Sequence, residues 1–328
     1  MDLSSVRELK AALATQVAPV ASEAVRMRGA ARPLRLGAAP TAALALGVAP
    51  KPEGGFALAV RIQHRVLESS RTVDLITRQA KGEVDVRYIG RVAKRATPWY
   101  QQRQRPLLIG CSVGHVNITA GTLGAFVQRR GGGPLSILSN NHVLADENRG
   151  KVGDAILQQA VDDGGQDPND LVATLAGVVK LKRSGSNLTD CAIAEIVEGI
   201  EAHPAKLQGL GKLKGVSDVV MDEGLRVAKI GRTTGLTRGR VTAFELDDVT
   251  VEYDLGVVRF DDQIEIEGAG AKPFSDGGDS GSLIVGQDNR AVALLFAGSD
   301  HGGANGQGLT YANPIRAVLD ALKVDLVF

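Results

Sequence analysis

The pattern of apolar and polar positions divides the chain into a short mixed segment and a longer segment rich in short strands. Over residues 4–28 apolar side chains recur at helical spacing, which predicts one or two helices with a break at Pro19. The strands predicted after them are, in chain order, residues 34–36, 43–48, Phe56–Ile62 and Glu83–Ile89. Residues 73–78 predict a short helix or turn. We therefore expect residues 1–90 to form a small α/β domain.

From Leu107 onward, short apolar runs alternate with glycine-containing turns, which favours many short strands. The predicted strands are residues 121–127, 135–138, 171–179, 192–196, 225–230, 239–245, 249–252, 257–260, 263–266, 291–296 and 308–311. The first two form a hairpin across the glycine-rich turn Arg129–Pro134. Residues 199–222 predict a connection between two groups of strands. Residues 313–322 predict a closing helix, because Pro314 stands at its start and apolar residues follow at helical spacing.

A basic stretch separates the two segments. Residues 91–106 are polar and basic and contain two prolines, so they predict a linker. Residues 1–106 hold 18 Lys and Arg against 8 Asp and Glu, whereas residues 107–328 hold 20 against 29. Opposite net charges favour docking of the first domain on the second. Binding to nucleic acid is not expected, because no motif for it is present.

Composition limits the number of domains and the cellular location that we expect. The 328 residues suffice for about two domains, and no apolar run is long and clean enough to span a membrane. The first ten residues carry both signs of charge and lack the apolar core of a signal peptide. Cys111 and Cys191 are too few for a disulfide framework, so they are expected to be buried thiols. These features predict a cytoplasmic protein without metal or cofactor.

One acidic loop raises the question of a metal. The aspartates of this loop are Asp162, Asp163, Asp167 and Asp170. Their spacing does not match an EF-hand loop, so a solvated acidic loop is preferred over a calcium site.

The candidate chemistry centres on the turn Gly278-Asp-Ser-Gly-Ser282, which is followed by a strongly apolar run. Its glycines permit a tight turn that presents Ser280 and aims the N–H groups of Gly278 and Ser280 at one point, as in an oxyanion hole. A serine nucleophile needs a base and an acid to orient that base. His142, after an apolar strand, and Asp190, a lone acid among small apolar residues, can supply them.

The order His142, Asp190, Ser280 is that of chymotrypsin-type proteases. Segments 139–145, 189–193 and 278–282 resemble the three catalytic motifs of bacterial trypsin-like serine proteases of the PA clan. Segments 229–241 and 294–299 are similar to the strand–turn–strand before the nucleophile and to the specificity-pocket wall in streptogrisin-type enzymes. The resemblance covers roughly the last two-thirds of the chain. It implies two six-stranded β-barrels, over about residues 107–200 and 222–312, a C-terminal helix, and serine endopeptidase activity on a polypeptide substrate. The resemblance also implies that residues 1–90 are a regulatory domain or a pro-segment that is removed by cleavage in the linker.

The resemblance also implies a specificity pocket and a partner for Asp279. The residues that it assigns to the pocket are Phe274, Leu295, Phe296, Ala297 and Gly298. Phe274 stands where trypsins keep an aspartate, so a small or apolar substrate side chain is expected rather than Lys or Arg. Asp279 shapes the oxyanion loop and needs an internal cation, such as an arginine, which the sequence does not identify.

A second class of function stays open. A protein with this fold could be a latent protease or a scaffold that its N-terminal domain keeps closed and that acts by binding partners. The combination of Ser280, His142 and Asp190 with an oxyanion turn favours the protease.

Overall fold

The computed structural model describes residues 1–14, 44–63, 65–90, 92, 97–218 and 224–328. Contacts divide the chain into two units, Met1–Ala96 and Thr97–Phe328. The strand predicted at 34–36 and the later part of the predicted helical segment lie outside the described residues. Residues 97–106 of the predicted linker lie in the second unit, where Trp99 packs against the core.

The first unit is a small α/β domain, as predicted. Its elements are α1 (residues 3–14), β1 (Leu44–Pro50), β2 (Phe56–Ile62), α2 (Arg71–Gln79) and β3 (Val84–Tyr88). Strand β2 lies between the other two, antiparallel to β1 and parallel to β3. A parallel pair needs a crossover, and α2 provides it. The buried core of this unit includes Val6, Leu13, Leu58, Val60 and Ile76.

The second unit is mostly β. Its first part contains β4 (Leu107–Leu108), β5 (Ser112–His115), β6 (Gly121–Thr122), β7 (Ala125–Arg129), β8 (Ser136–Ser139), α3 (Asn141–Leu144), β9 (Ala155–Leu157), β10 (Leu171–Val178) and β11 (Ala192–Ile196). The connection holds β12 (Ala202–His203), β13 (Lys206–Leu207) and β14 (Gly211–Lys212). The second part contains β15 (Arg226–Gly231), β16 (Gly235–Leu246), β17 (Val249–Tyr253), β18 (Gly256–Phe260), β19 (Gln263–Gly268), β20 (Leu283–Gly286), β21 (Ala291–Gly298), β22 (Leu309–Pro314), α4 (Ile315–Leu322) and β23 (Val324–Leu326).

Seven strands of the first part, β5 to β11, and the C-terminal strand β23 form an eight-stranded antiparallel sheet in the order β23-β7-β8-β11-β10-β9-β5-β6. This sheet corresponds to the expected first barrel, because β6 and β7 are consecutive stretches of the chain, one pairing with β5 and the other with β8, and β23 is added at the outer edge of β7. The single strand predicted over residues 121–127 is divided. Its first part, β6, pairs with β5, and its second part, β7, pairs with β8.

The second part closes into a six-stranded antiparallel barrel in the order β15-β16-β19-β22-β21-β20. Its interior is filled by apolar side chains that include Val227, Val241, Ile266, Ile284 and Leu295. Strands β17 and β18 form a separate two-stranded hairpin. Helix α4 buries Ile315, Val318, Leu319 and Leu322, which is the face that the sequence predicted. The mainly β architecture with a closing helix is therefore confirmed.

The ends of strands carry the candidate catalytic residues. His142 lies in α3, directly after β8, and Asp190 directly precedes β11. Ser280 lies in the turn before β20. Within the described ranges, no helix has both the length and the apolar character that crossing a membrane requires.

Candidate active site

His142 and Asp190 form a short hydrogen bond. The His142 Nδ1 atom lies 2.5 Å from Asp190 Oδ2, and the Asp190 side chain is fully buried. A buried carboxylate is stable only when donors surround it. The Asn141 N–H donates to Oδ1 at 2.7 Å, and the Tyr253 hydroxyl donates to Oδ2 at 2.7 Å. Asp190 is therefore held as a hydrogen-bond acceptor beside the imidazole.

These contacts set the electrostatics of the site. Burial lowers the pKa of His142, but the charge and hydrogen bond of Asp190, with the charge of Glu147, outweigh burial, so the pKa is raised above its ordinary value. Burial and the neighbouring Asp190 hold the pKa of Tyr253 well above its ordinary value. Tyr253 therefore stays a hydrogen-bond donor at neutral pH.

The turn that carries Ser280 leaves two backbone donors free. Gly278 and Gly281 both adopt positive φ, +91° and +90°, a conformation that glycine allows without strain. The N–H groups of Gly277, Asp279, Gly281 and Ser282 all have acceptors. Those of Gly278 and Ser280 donate to no acceptor among the described residues. These are the two N–H groups that the sequence analysis assigned to an oxyanion hole.

Asp279 fixes the Ser280 turn to neighbouring segments through its carboxylate. Its Oδ1 accepts the N–H groups of Thr233 and Thr234, at 2.8 and 3.1 Å. Its Oδ2 lies 2.9 Å from the Lys229 ammonium, and both side chains are fully buried. The cationic partner is thus Lys229 on β15, where the sequence analysis had suggested an arginine.

The Ser280 turn rests on the first part of the unit. The Thr122 N–H donates to the Ser280 carbonyl at 2.8 Å, and the Thr122 hydroxyl donates to the Gly278 carbonyl at 3.0 Å. A Cβ atom at Gly281 would lie only 2.0 Å from Ser139 Oγ, three residues before His142. This packing places the Ser280 turn against the end of β8, next to the segment that bears His142.

No hydrogen bond joins Ser280 Oγ to His142 in the described part of the chain, where the His142 ring and its backbone N–H both bond to Asp190. Such bonds are often long without a substrate.

A cavity of about 190 Å³ opens beside Ser280. Four of the five predicted pocket residues line it, namely Phe274, Leu295, Ala297 and Gly298. Phe296 does not, because successive residues of β21 face opposite sides and its ring packs on Phe260, with ring centroids 4.7 Å apart. The lining is not wholly apolar, because a hydrogen-bonded pair of hydroxyls, those of Ser275 and Thr310, also lines the wall.

The acidic loop makes ion pairs within the second unit. Asp163 binds Arg232 through two hydrogen bonds of 2.7 and 2.8 Å, and Asp170 pairs with Arg103 at 3.0 Å. Among the residues described, no cluster of three or more metal-binding side chains occurs. Two aspartates of the loop are thus engaged by arginines.

The sequence analysis missed Tyr253 and Lys229. Lys229 left a signal, because strand alternation places it on the same inward face as Val227. For Tyr253 the sequence predicts a strand but gives no sign of its role, because its contact with Asp190 spans 63 positions in the chain.

Comparison with known proteins finds relatives of part of the second unit. The family model described as the Nal1 C-terminal domain matches residues 191–325. The protein NARROW LEAF 1 of rice (Oryza sativa subsp. japonica) is 31% identical over 119 residues. That match covers 32% of this chain and only 19% of the length of the rice protein.

Solved structures of bacterial and other proteases are similar over about two-thirds of the chain. Protease A of Thermobifida fusca is 18% identical, covering 67% of this chain and 97% of its own, with a TM-score of 0.46. The chymotrypsin of Cellulomonas bogoriensis is 20% identical over the same shares, with a TM-score of 0.44. A glutamic acid specific serine protease is 22% identical, covering 67% and 100%, with a TM-score of 0.46.

Proposed function

We propose that the protein is a serine endopeptidase in which Ser280 is the nucleophile, His142 the base and Asp190 the orienting acid. The observation that carries the proposal is the presence of two arrangements on segments that pack against each other, since the Ser280 turn contacts Ser139 at the end of β8. A buried, fully hydrogen-bonded Asp190 holds His142, and the Ser280 turn leaves the N–H groups of Gly278 and Ser280 free. This is the donor and acceptor set that acyl transfer requires.

The reaction follows from these groups. Ser280 Oγ attacks the peptide carbonyl while its proton passes to His142 Nε2. The two free N–H groups stabilise the oxyanion, and the proton on His142 moves to the leaving amine as the C–N bond breaks, which leaves an acyl-enzyme. A water molecule then gives a proton to His142 and attacks the ester, and that proton passes to Ser280 Oγ as the ester C–O bond breaks, which releases the acid and restores Ser280.

The test is labelling of the purified full-length protein with a fluorophosphonate serine probe. We expect labelling of the wild type, none of Ser280→Ala, and a rate lowered by orders of magnitude in Asp190→Asn. A digest of a peptide library by wild type and Ser280→Ala then separates peptidase from esterase activity. Equal labelling of wild type and Ser280→Ala would contradict the assignment of Ser280.

The alternative is a latent or partner-binding protein with the same fold. The opposite net charges of residues 1–106 and 107–328 favour it, since a basic N-terminal domain could bind the acidic unit and keep it closed. Absence of labelling in the full-length protein, together with strong labelling of a protein that begins at Thr97, would support a latent protease. Absence of labelling in both would support a scaffold. The same pair of proteins tests whether the basic N-terminal domain docks on the acidic unit.

A further inference from the structure

The β17–β18 hairpin lies against the acid of the candidate triad. Tyr253, the last residue of β17, donates its hydroxyl hydrogen to Asp190 Oδ2 at 2.7 Å. Its ring meets the His142 ring edge-on, with centroids 5.8 Å apart. An isolated two-stranded hairpin is only marginally stable. The contact with Asp190 therefore depends on whatever holds the hairpin in place.

Glu147 holds the tip of this hairpin. Its two carboxylate oxygens accept the backbone N–H groups of Asp254 and Leu255, at 3.1 and 2.9 Å. Arg149 adds an ion pair with Asp254 at 3.2 Å. Asp254 and Leu255, which connect β17 to β18, are therefore bound to the turn that follows α3. Helix α3 is the helix that carries His142.

The turn that presents Glu147 is strained. Asp146, Glu147 and Asn148 have φ values of 46°, 52° and 72°, and none of them is glycine. Residues with a side chain adopt this left-handed conformation only at an energetic cost. Asn148 fixes the turn through hydrogen bonds with Asn141 at 3.0 Å and with the Leu181 carbonyl at 2.9 Å. Strain of this kind persists only where the surrounding contacts over-determine the backbone, and the resulting turn directs Glu147 at the hairpin.

Aromatic rings tie the hairpin to the cavity as well. The Tyr253 ring lies 6.2 Å from the Phe260 ring, and Phe260 lies 4.7 Å from Phe296 on β21. The neighbours of Phe296, Leu295 and Ala297, line the cavity beside Ser280. One hairpin thus contacts both the acid of the candidate triad and the strand that forms the cavity wall.

We propose that Tyr253 is a positioning residue and that Glu147 latches the β17–β18 hairpin so that Tyr253 completes the hydrogen bonding of Asp190. The expected effect of Tyr253 on the labelling rate rests on the proposed function. The electrostatic effect does not: the Tyr253 hydroxyl disperses the negative charge of Asp190. The groups that face His142 are Asp190 and Tyr253, with the Glu147 charge nearby.

The substitution Tyr253→Phe isolates the hydroxyl, because it keeps the ring contacts with His142 and Phe260. Without the hydroxyl, Asp190 attracts the imidazolium more strongly, so the pKa of His142 rises by about 0.5–1 unit. We expect the fluorophosphonate labelling rate to fall about tenfold near neutral pH and its half-maximal pH to move upward. Arg259→Gln, an exposed position on the same hairpin, is the matched control and should leave both unchanged.

The latch is tested by Glu147→Ala and by the double variant with Tyr253→Phe. If Glu147 acts through Tyr253, Glu147→Ala slows labelling, and the double variant is no slower than the slower single variant. If the two substitutions slow labelling additively, the proposal that Glu147 acts through Tyr253 is wrong. The pKa comparison is confined to Tyr253→Phe, because removing the Glu147 charge itself lowers the pKa of His142.

An NMR titration of the His142 imidazole separates this inference from the proposed function. If the wild type is not labelled but Tyr253→Phe still raises the pKa of His142, the endopeptidase assignment fails and the positioning role stands. If the pKa of His142 is the same in wild type and Tyr253→Phe, the positioning role is wrong, whatever the labelling shows. Melting curves of both proteins confirm that each is folded during the titration.

Discussion

The Lys229 ammonium lies 2.9 Å from the Asp279 carboxylate in a pair that is entirely shielded from solvent. Asp279 is next to Ser280, and its carboxylate also binds the backbone of Thr233 and Thr234. The turn with the two free N–H groups is therefore fixed to β15 by a charge that belongs to the folded unit. The cation is a side chain of the second unit, so the chain need not be cleaved to supply a positive charge to Asp279.

Removing the cation should be costly. Lys229→Met leaves Asp279 buried without its ion partner, which should destabilise the second unit by about 3–5 kcal/mol. Urea denaturation followed by fluorescence of the single tryptophan, Trp99, measures the change. The double variant Lys229→Met/Asp279→Asn should recover part of the loss, since it removes the unpaired charge. A single variant as stable as the wild type would show that the pair is not needed.

Two adjacent glycines give a matched test of the oxyanion site. Gly278→Ala should reduce labelling by roughly 10²–10³-fold, the usual effect of losing one oxyanion donor. The reason is that Gly278 has positive φ and an added Cβ would lie 2.6 Å from Thr233 Oγ1. Gly277→Ala has open space around its Cβ and ordinary φ, so its labelling rate should stay near that of the wild type. Equal loss in both variants would contradict a specific role for the Gly278 N–H.

The pH dependence of labelling should report His142. Its pKa is raised above the ordinary value of 6.5, and the neutral form is the base, so the rate should reach half its maximum above pH 6.5. Asp190→Asn removes the opposing charge and should move the half-maximal pH downward. A rate profile centred below pH 6.5 in the wild type would contradict this.

The same raised pKa couples His142 to stability. The folded state binds the proton more tightly than the unfolded state, so the stabilisation is complete below about pH 6.5 and is lost as the pH rises through the folded pKa. The melting temperature of Ser280→Ala, relative to Ser280→Ala/His142→Gln, should therefore decrease between pH 6 and pH 8 or above. The Ser280→Ala background prevents self-cleavage. A difference that stays constant over this range would show that His142 titrates alike in both states.

The two cysteines should resist thiol reagents in the native protein. Cys111 and Cys191 are free and buried, and burial raises the pKa of each thiol to about 12. Because the thiolate is the reactive form, a chromogenic disulfide reagent at pH 8 should count no fast-reacting thiol in the native protein. It should count two in guanidinium chloride. Rapid modification of the native protein would mean that the core opens readily.

The sequence predicts local features of this molecule better than contacts between distant parts. The inward face of α4 followed from its helical period, and the turn at Ser280 followed from its glycines and the apolar run after it. The exclusion of Phe296 from the cavity could have been predicted from alternation along β21. The contact of Tyr253 with Asp190 could not, because alternation assigns a face to a strand and says nothing of what a distant segment places against it.

Strand β23 was missed for a related reason. Its three residues, Val324–Leu326, are too few for a pattern, and its partner β7 lies far away in the chain. Only the folded sheet shows that the outer edge of β7 is occupied.

That pairing has a consequence for how the chain is made. Arg130, directly after β7, forms an ion pair with Asp325 in β23, and the two are 195 positions apart. On the ribosome, the edge of β7 therefore stays open until the whole second barrel has been synthesised. An open edge invites pairing with other chains. The newly made protein should depend on chaperones, or on slow translation through the barrel, more than its finished stability would suggest.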